Sequence, residues 1–322
     1  MTAPASSDLR RETRPSPAPD RPEPLAGRRG LSSETTNLLK GLAFLSPWIV
    51  GFLVFTLVPV ALSFYYSLTD YTLLQEPVFI GARNYQRLIE DELFWTALGN
   101  TLFYAAMAIP GGLLVSLGLA LLLNVKIPGQ SAWRTIIFLP SLVPVVASAM
   151  LWLWLFNARL GLINVALGWV GIEGPAWLAD PDWAMPALVL MSFWGVGHTV
   201  VIYLAGLQDV PTELYEAAEL DGAGVFGRVW HVTLPMLSPV IFFNLVMAVI
   251  GTLQVFEVPY IMTGGGPARS TYFITMFLYD NAFNYLKMGY ASAVAWLLLL
   301  VILAITALTF WSSGRWVHYE GK

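Results

Sequence analysis

"LYEAAELDGAGVFGRVWHVTLP", residues Leu214 to Pro235, is the most acidic and most turn-rich passage of a chain that is otherwise apolar. Val210-Pro211 just ahead of it sets a helix start, because proline suits a first turn. Asp209, Glu213 and Glu216 then stand near the end of that helix where the backbone dipole favours negative charge. Leu214, Ala217, Ala218 and Leu220 give the helix a small apolar face. Asp221-Gly222 breaks it, since glycine accepts backbone angles that other residues resist. A second short helix is expected through Val225, Val229, Trp230 and Val232 before Pro235 leads into the next apolar segment. Two short helices at an angle, with Ala217, Ala218, Gly222 and Ala223 near the corner, form a compact knob that another protein's groove can grip. Judged on charge and periodicity alone, an acidic solvated loop fits the same residues equally.

The rest of the chain decides what that passage connects. Of 322 residues, 57% are hydrophobic and only 12% charged, about half the ~25% charged share of a soluble domain. That much apolar surface needs lipid as its solvent. Stretches free of Asp, Glu, Lys and Arg at 41–69, 93–125, 135–158, 183–208, 232–256 and 288–314 place spans at about 41–69, 95–125, 135–158, 183–208, 234–261 and 288–314. Each is at least as long as the ~20 residues a helix needs to cross the hydrocarbon. Only a helix satisfies its own backbone there, so the expected fold is an all-α membrane protein with six transmembrane helices. The connection between the fourth and fifth, 208–234, holds the opening passage. Prolines such as Pro59, Pro110, Pro144 and Pro239 interrupt several spans. Apolar runs at 160–172 and 270–279 are too short to cross and read as interfacial or re-entrant pieces. With no cysteine, disulfides and thiolate metal sites are excluded.

Residues 1–36 are a different material, rich in Pro, Arg and acids, and are expected to be disordered. They do not read as a signal peptide, because no short apolar core with a cleavage site follows the charged region. Six spans put both termini on one side. The tail and Lys40 bring seven basic residues to that side, joined by Lys126, Arg134, Arg228, Arg315 and Lys322. The other side has five: Arg83, Arg87, Arg159, Arg269 and Lys287. The positive-inside rule therefore predicts cytoplasmic termini and a cytoplasmic 208–234 loop. Without the seven N-terminal charges the two sides balance, so the orientation rests on the tail.

The opening passage resembles the EAA signature of permeases of ATP-binding-cassette importers. Glu216-Ala217-Ala218 is followed at the family's spacing by Gly222, then Val232 and Leu234-Pro235, with Val232 where the family more often has isoleucine. Four flanks agree in the same order: "YLAGLQDVPTELYEAA", "MTGGGPARST", "LSPWIVGFLVFTLVPVALSFYYSLTDY" and "FIGARNYQRLIEDELFWTALGNTLFYA". The resemblance covers nearly all of 37–322 and is to the maltose-type first permease of sugar importers. It implies that the passage is a coupling helix docking on a cytoplasmic ATPase. Glu216 would be the ionic contact, Ala217, Ala218 and Ala223 small packing surfaces, and Asp221-Gly222 the turn. It implies a second homologous permease, two copies of the ATPase and an extracytoplasmic solute-binding protein, with ATP and Mg held by the ATPase and no cofactor on this chain. Its setting would be the bacterial inner membrane, with no nucleic-acid partner.

No catalytic constellation is visible, so no enzyme activity is assigned to this chain. "GGGPARST" (264–271) resembles a phosphate loop only in its glycines, lacking the Gly-Lys-Ser/Thr ending. His198, His231 and His318 have no metal spacing. Polar groups inside spans mark a pathway by default. These are Trp194, Gly195 and His198 on span four, and Gly251, Thr252, Gln254, Glu257 and Tyr260 on or after span five. Gly195, His198, Gly251 and Thr252 also fall near the sugar-site positions of the related permease. Aromatic faces with hydroxyl and amide partners suit a carbohydrate. A glycerol-3-phosphate importer is the alternative, disfavoured because no span carries an interior Arg or Lys for a phosphate. A self-sufficient secondary transporter would call for inverted repeats, broken helices and intramembrane acid pairs; no convincing internal repeat is seen, and Glu257 stands alone near one end of its span.

Overall fold

The structure, a computed structural model, describes residues 33–125 and 128–318. Of the tail expected over 1–36, residues 1–32 lie outside the described residues. Residues 33–36 already belong to the first helix, Ser33–Phe52, because no proline or glycine interrupts the chain between Gly30 and Gly41. The chain divides after Pro59 into two units. Within the first, Trp48 stacks on Phe52 with centroids 5.5 Å apart.

The architecture is helical throughout, apart from a two-residue antiparallel pairing of Thr69–Asp70 with Val78–Phe79. Four helices are long and apolar enough to cross a membrane: Lys40–Ser67, Glu92–Asn124, Val225–Thr252 and Met288–Ser313. These are spans 1, 2, 5 and 6. Span 3 is the pair Gln130–Leu142 and Val145–Leu155, bent by 99°, and span 4 the pair Pro181–Gly195 and Gly197–Gln208, bent by 49°. The charge-free stretches thus fall on four span-length helices and two bent pairs, six spans when each pair is taken as one. In span 3 the break falls at Val143-Pro144, where Val143 is extended, as a residue preceding proline prefers.

Span 5 differs from expectation at both ends. It begins at Val225, so Pro235 lies inside a continuous helix rather than starting one. The π-helical turn Val229–Thr233 just ahead of Pro235 makes this possible. It widens the helix where the proline has no N–H to donate. The π turn Leu53–Leu57 stands two residues before Pro59 in the same way. At the other end span 5 stops at Thr252 instead of 261, and the chain restarts as the helix Glu257–Met262. Pro259 sits in the first turn of that helix, where its missing N–H costs nothing.

Span 2 threads the three apolar clusters of the second unit. Its Phe94, Ala97 and Ala105 join Val249 of span 5 and Ala293, Val294 and Leu298 of span 6. Tyr104 and Ala108 join Ala149 of span 3 and Leu188 of span 4, and Ala120 and Leu123 join Val200, Tyr203 and Leu204 of span 4 and Leu237 of span 5. Thr101, Ser116 and Ala120 are fully buried on the same face. Small residues at three- and four-residue spacing let neighbouring backbones approach, which drives helix association where lipid removes the hydrophobic effect. Thr101 also tethers the segment after span 5: its Oγ1 accepts from the Ile274 N–H at 2.9 Å and donates to Ala97 O at 2.8 Å. Asn100 adds a second tether by donating to Arg269 O at 2.8 Å. This secures the glycine-rich loop 264–271 to span 2. Tyr272, just past that loop, has its phenol raised above the usual range by burial first, then by donation to Asp280 and the carboxylate's charge.

Candidate functional site

A cavity of about 430 Å³ lies between spans 2, 4 and 5. It opens where span 4 breaks. The helix Pro181–Ser192 tightens into the turn Phe193–Gly195 and resumes at Gly197. Gly197 is required by close approach: a Cβ there would stand 2.9 Å from Ile137 O and 3.0 Å from Phe138 Cα. That contact brings span 3 against the break, and Phe138 meets the His198 ring edge-on with centroids 5.1 Å apart.

The polar lining comes from three spans: Tyr104 from span 2, Ser192, His198 and Thr199 from span 4, and Asn244 and Thr252 from span 5. A second cavity of about 220 Å³ adds Trp194, Ser141 and Ser148 and shares Tyr104, Ser192, Gly195 and His198 with the first. Those four residues form the partition between the two cavities. Trp194 meets Trp152 edge-on at 6.2 Å. No Asp, Glu, Lys or Arg lines either cavity. The chamber therefore offers hydroxyl, amide, imidazole and aromatic groups to an uncharged polar solute.

Of the eight pathway candidates, Trp194, Gly195, His198 and Thr252 come together here. Gly251, Gln254, Glu257 and Tyr260 line neither cavity. Because the helix ends at Thr252, the register that would have carried Gln254, Glu257 and Tyr260 inward is lost, while Gly251, still within the helix, is exposed. Gln254 and Glu257 are exposed, and Tyr260 stacks on Phe256 at 5.0 Å and meets Tyr279 at 5.6 Å. Tyr104, Ser192, Thr199 and Asn244 are lining residues that the sequence reading passed over. Asn244 carried the legible signal, an amide in the interior of an apolar span. It is 4% exposed, and its Nδ2 donates to Val240 O at 3.0 Å, which leaves Oδ1 as an acceptor.

The second site is the knob. The helix Thr212–Leu220 ends with Gly222 at φ +81°. The Ala223 N–H donates to Ala218 O at 2.9 Å and the Gly222 N–H to Glu219 O at 3.0 Å, the paired bonds of a Schellman cap. A return helix begins at Val225 and is held by Tyr215 Oη against Thr233 Oγ1 at 3.1 Å. Glu219 pairs with Arg228 at 3.0 Å, the only ion pair among the described residues. Glu216 stays exposed, with no ion-paired partner among the described residues. Ala217, Asp221 and Gly222 are exposed beside it, while Ala218 and Ala223 are half-buried at the corner. Leu220 and Phe226 are each 90% exposed. Apolar tips this exposed beside an unpaired carboxylate make a surface shaped for a protein partner. Among the described residues no three His, Asp or Glu side chains gather as a metal site.

Span-length apolar helices, two of them broken around an uncharged polar chamber, define an integral-membrane transport subunit. The chain belongs to the family described as binding-protein-dependent transport system inner membrane component, which it matches over residues 108–317. It is 40% identical over 289 residues to the probable ABC transporter permease protein YesP of Bacillus subtilis, covering 88% of this chain and 93% of that one. It is 37% identical to the sulfoquinovosyl glycerol transport system permease protein SmoG of Agrobacterium fabrum, covering 71% and 75%. Among solved structures, it resembles a chain of a bacterial alginate ABC transporter in complex with an alginate pentasaccharide-bound periplasmic protein. The TM-score is 0.77 and the identity 25%, covering 88% of this chain and 97% of that one.

Proposed function

We propose that this chain is the permease subunit of an ATP-binding-cassette importer that carries a mono- or oligosaccharide across the bacterial cytoplasmic membrane. The observation that carries the reading is the knob. It is a capped helix–turn–helix that presents unpaired Glu216 and bare Leu220 and Phe226, built on the same continuous helix that lines the chamber through Asn244 and Thr252. A push on the first helix of the knob passes to the return helix through the Tyr215–Thr233 and Glu219–Arg228 contacts and reaches the chamber along that helix. Glu216 makes the ionic contact to a cytoplasmic ATPase, with Ala217, Ala218, Asp221, Gly222 and Ala223 forming the docking corner. ATP hydrolysis with Mg on two copies of that ATPase then drives alternating access. The termini and the knob face the cytoplasm, as the distribution of Lys and Arg requires. A second homologous permease closes the pathway, and an extracytoplasmic solute-binding protein delivers the sugar, a partner of the kind that the alginate transporter carries.

The uncharged lining favours a carbohydrate over glycerol 3-phosphate, whose dianion would meet no cation from this chain. SmoG, by its name, belongs to a sulfoquinovosyl glycerol transport system. The test is uptake in proteoliposomes reconstituted with the partner subunits and binding protein, with wild type set against Asn244→Leu and His198→Ala. Uptake of a neutral sugar with a raised KM in both variants is expected. Wild-type transport of a phosphorylated polyol but of no sugar would overturn the substrate class.

A further inference from the structure

A second polar cavity, of about 400 Å³, lies apart from the chamber and from the knob. Three span ends converge on it: span 1 ends at Ser67, span 2 begins at Glu92 and span 6 at Met288. It therefore sits where the bilayer gives way to water. Arg87 and Lys287 line it, with Asp70 and Asp91 opposite in charge. The lining is formally neutral, yet none of these four is ion-paired among the described residues. Asp91 is already engaged. Its Oδ1 accepts from the Leu93 and Phe94 N–H groups at 2.9 and 3.4 Å, and its Oδ2 from Tyr290 Oη at 2.7 Å.

Two cations and one carboxylate, Asp70, are thus left without a protein partner. Asn84 and Asn281 also line the cavity and have used only their amide N–H groups. Asn84 donates to Ser67 O and Thr69 O, and Asn281 to Phe277 O. Their carbonyl oxygens remain as acceptors. Beside the cavity the hairpin carries bare Leu73, Leu74, Val78 and Phe79, which are 52% to 83% exposed. That apolar surface belongs against acyl chains, and Trp95, 52% exposed, stands at the same level as interfacial tryptophans do.

We infer that this cavity binds the zwitterionic headgroup of an ethanolamine phospholipid. Arg87 and Lys287 take the phosphodiester, and Asp70 takes the primary ammonium with Asn84 and Asn281 as further acceptors. A net-neutral headgroup in a net-neutral lining buries no uncompensated charge. A phosphate alone would leave Asp70 unmatched. The same chemistry is carried by soluble glycerophosphoethanolamine, a phosphodiester zwitterion, and the apolar hairpin favours the lipid.

The test uses the full chain purified with its native lipid. Wild type is compared with Arg87→Gln/Lys287→Gln and with Asp70→Asn. None of these side chains bonds within the described fold, so the variants keep it. Retained lipid is identified by mass. Delipidated protein is then titrated with short-chain phosphatidylethanolamine, phosphatidylglycerol and glycerophosphoethanolamine, read by thermal shift. Wild type is expected to retain phosphatidylethanolamine and to bind it about tenfold more tightly than phosphatidylglycerol, ~1.4 kcal/mol. The double variant loses both lipids, and Asp70→Asn loses only the preference. An equal response to glycerophosphoethanolamine upholds the zwitterion site and assigns it a soluble ligand. Lipid binding unchanged in the double variant overturns the inference. So does a double variant that keeps its lipid but no longer captures the solute-binding protein, which would make the cavity a protein contact.

Discussion

Gly222 separates two roles that a turn glycine can play, and substitution there tells them apart. Its φ of +81° is in the left-handed region, and a Cβ would meet no atom within 4 Å. The cost of Gly222→Ala is therefore backbone strain without collision, ~1–2 kcal/mol. That energy falls on the two cap bonds from Gly222 and Ala223 to Glu219 and Ala218. Asparagine tolerates the left-handed region, so Gly222→Asn costs less than Ala, below ~1 kcal/mol. One to two kcal/mol is a factor of about 5–30 in a local opening equilibrium. Hydrogen exchange of the 218–226 peptide is expected to speed by that factor in the Ala variant, by less in Asn, and to leave the spans unchanged. If ATPase capture follows the same order, Gly above Asn above Ala, the turn's conformation is what docking needs. If Asn preserves slow exchange yet loses capture, close approach of the bare backbone is what matters. Ala and Asn exchanging alike, at the wild-type rate, would refute the assignment of strain to this cap.

The other expectations are more local. Glu216→Lys is expected to abolish ATPase capture with an unchanged melting temperature. Glu219→Gln removes a pair whose carboxylate is 70% exposed and is expected to cost at most ~1 kcal/mol, with capture retained, so equal effects of the two would undo the distinction drawn between them. Thr101→Val keeps the shape but leaves the buried Ile274 N–H without its acceptor, a loss of ~1–3 kcal/mol to be read as a lower melting temperature in detergent. Gly197→Ala drives a methyl toward backbone atoms of span 3 and is expected to cost ~1–3 kcal/mol and to slow uptake, whereas Gly195→Ala, with open space around it, should leave the melting temperature unchanged. A cysteine placed at Leu220 should label from the cytoplasmic face and one at Ala268 from the outer face; the opposite assignment would reverse the topology drawn from the basic residues.

Much of this was legible in the sequence because lipid imposes a coarse rule. A charged residue inside a span is costly, so charge-free stretches of span length located the crossing segments. The Asp-Gly dipeptide located the corner of the knob. Bends were not legible, because hydropathy is blind to direction. Span 3 turns by 99° at Val143-Pro144, yet Pro239 lies within a continuous helix, and nothing local distinguishes the two prolines. The end of span 5 was missed for a related reason. Leu253 to Phe256 are apolar enough to continue a helix, and the restart at Glu257 is written only in Pro259. The chamber was half legible. Trp194, Gly195 and His198 cluster within one turn, and Asn244 obeyed the same intramembrane rule as Thr252. Tyr104 looked like any other aromatic until spans 2 and 4 were set against each other.

The most direct test of the coupling role uses the absence of cysteine in the chain. Leu220→Cys introduces one thiol at a position 90% exposed in this structure. Maleimide labelling is measured in the purified transporter, and again after the ATPase is stripped away. The thiol is expected to be protected in the complex and fully labelled once the ATPase is removed. Equal labelling in both states would mean that nothing docks on the knob, and that Glu216 and its neighbours are only a solvated loop.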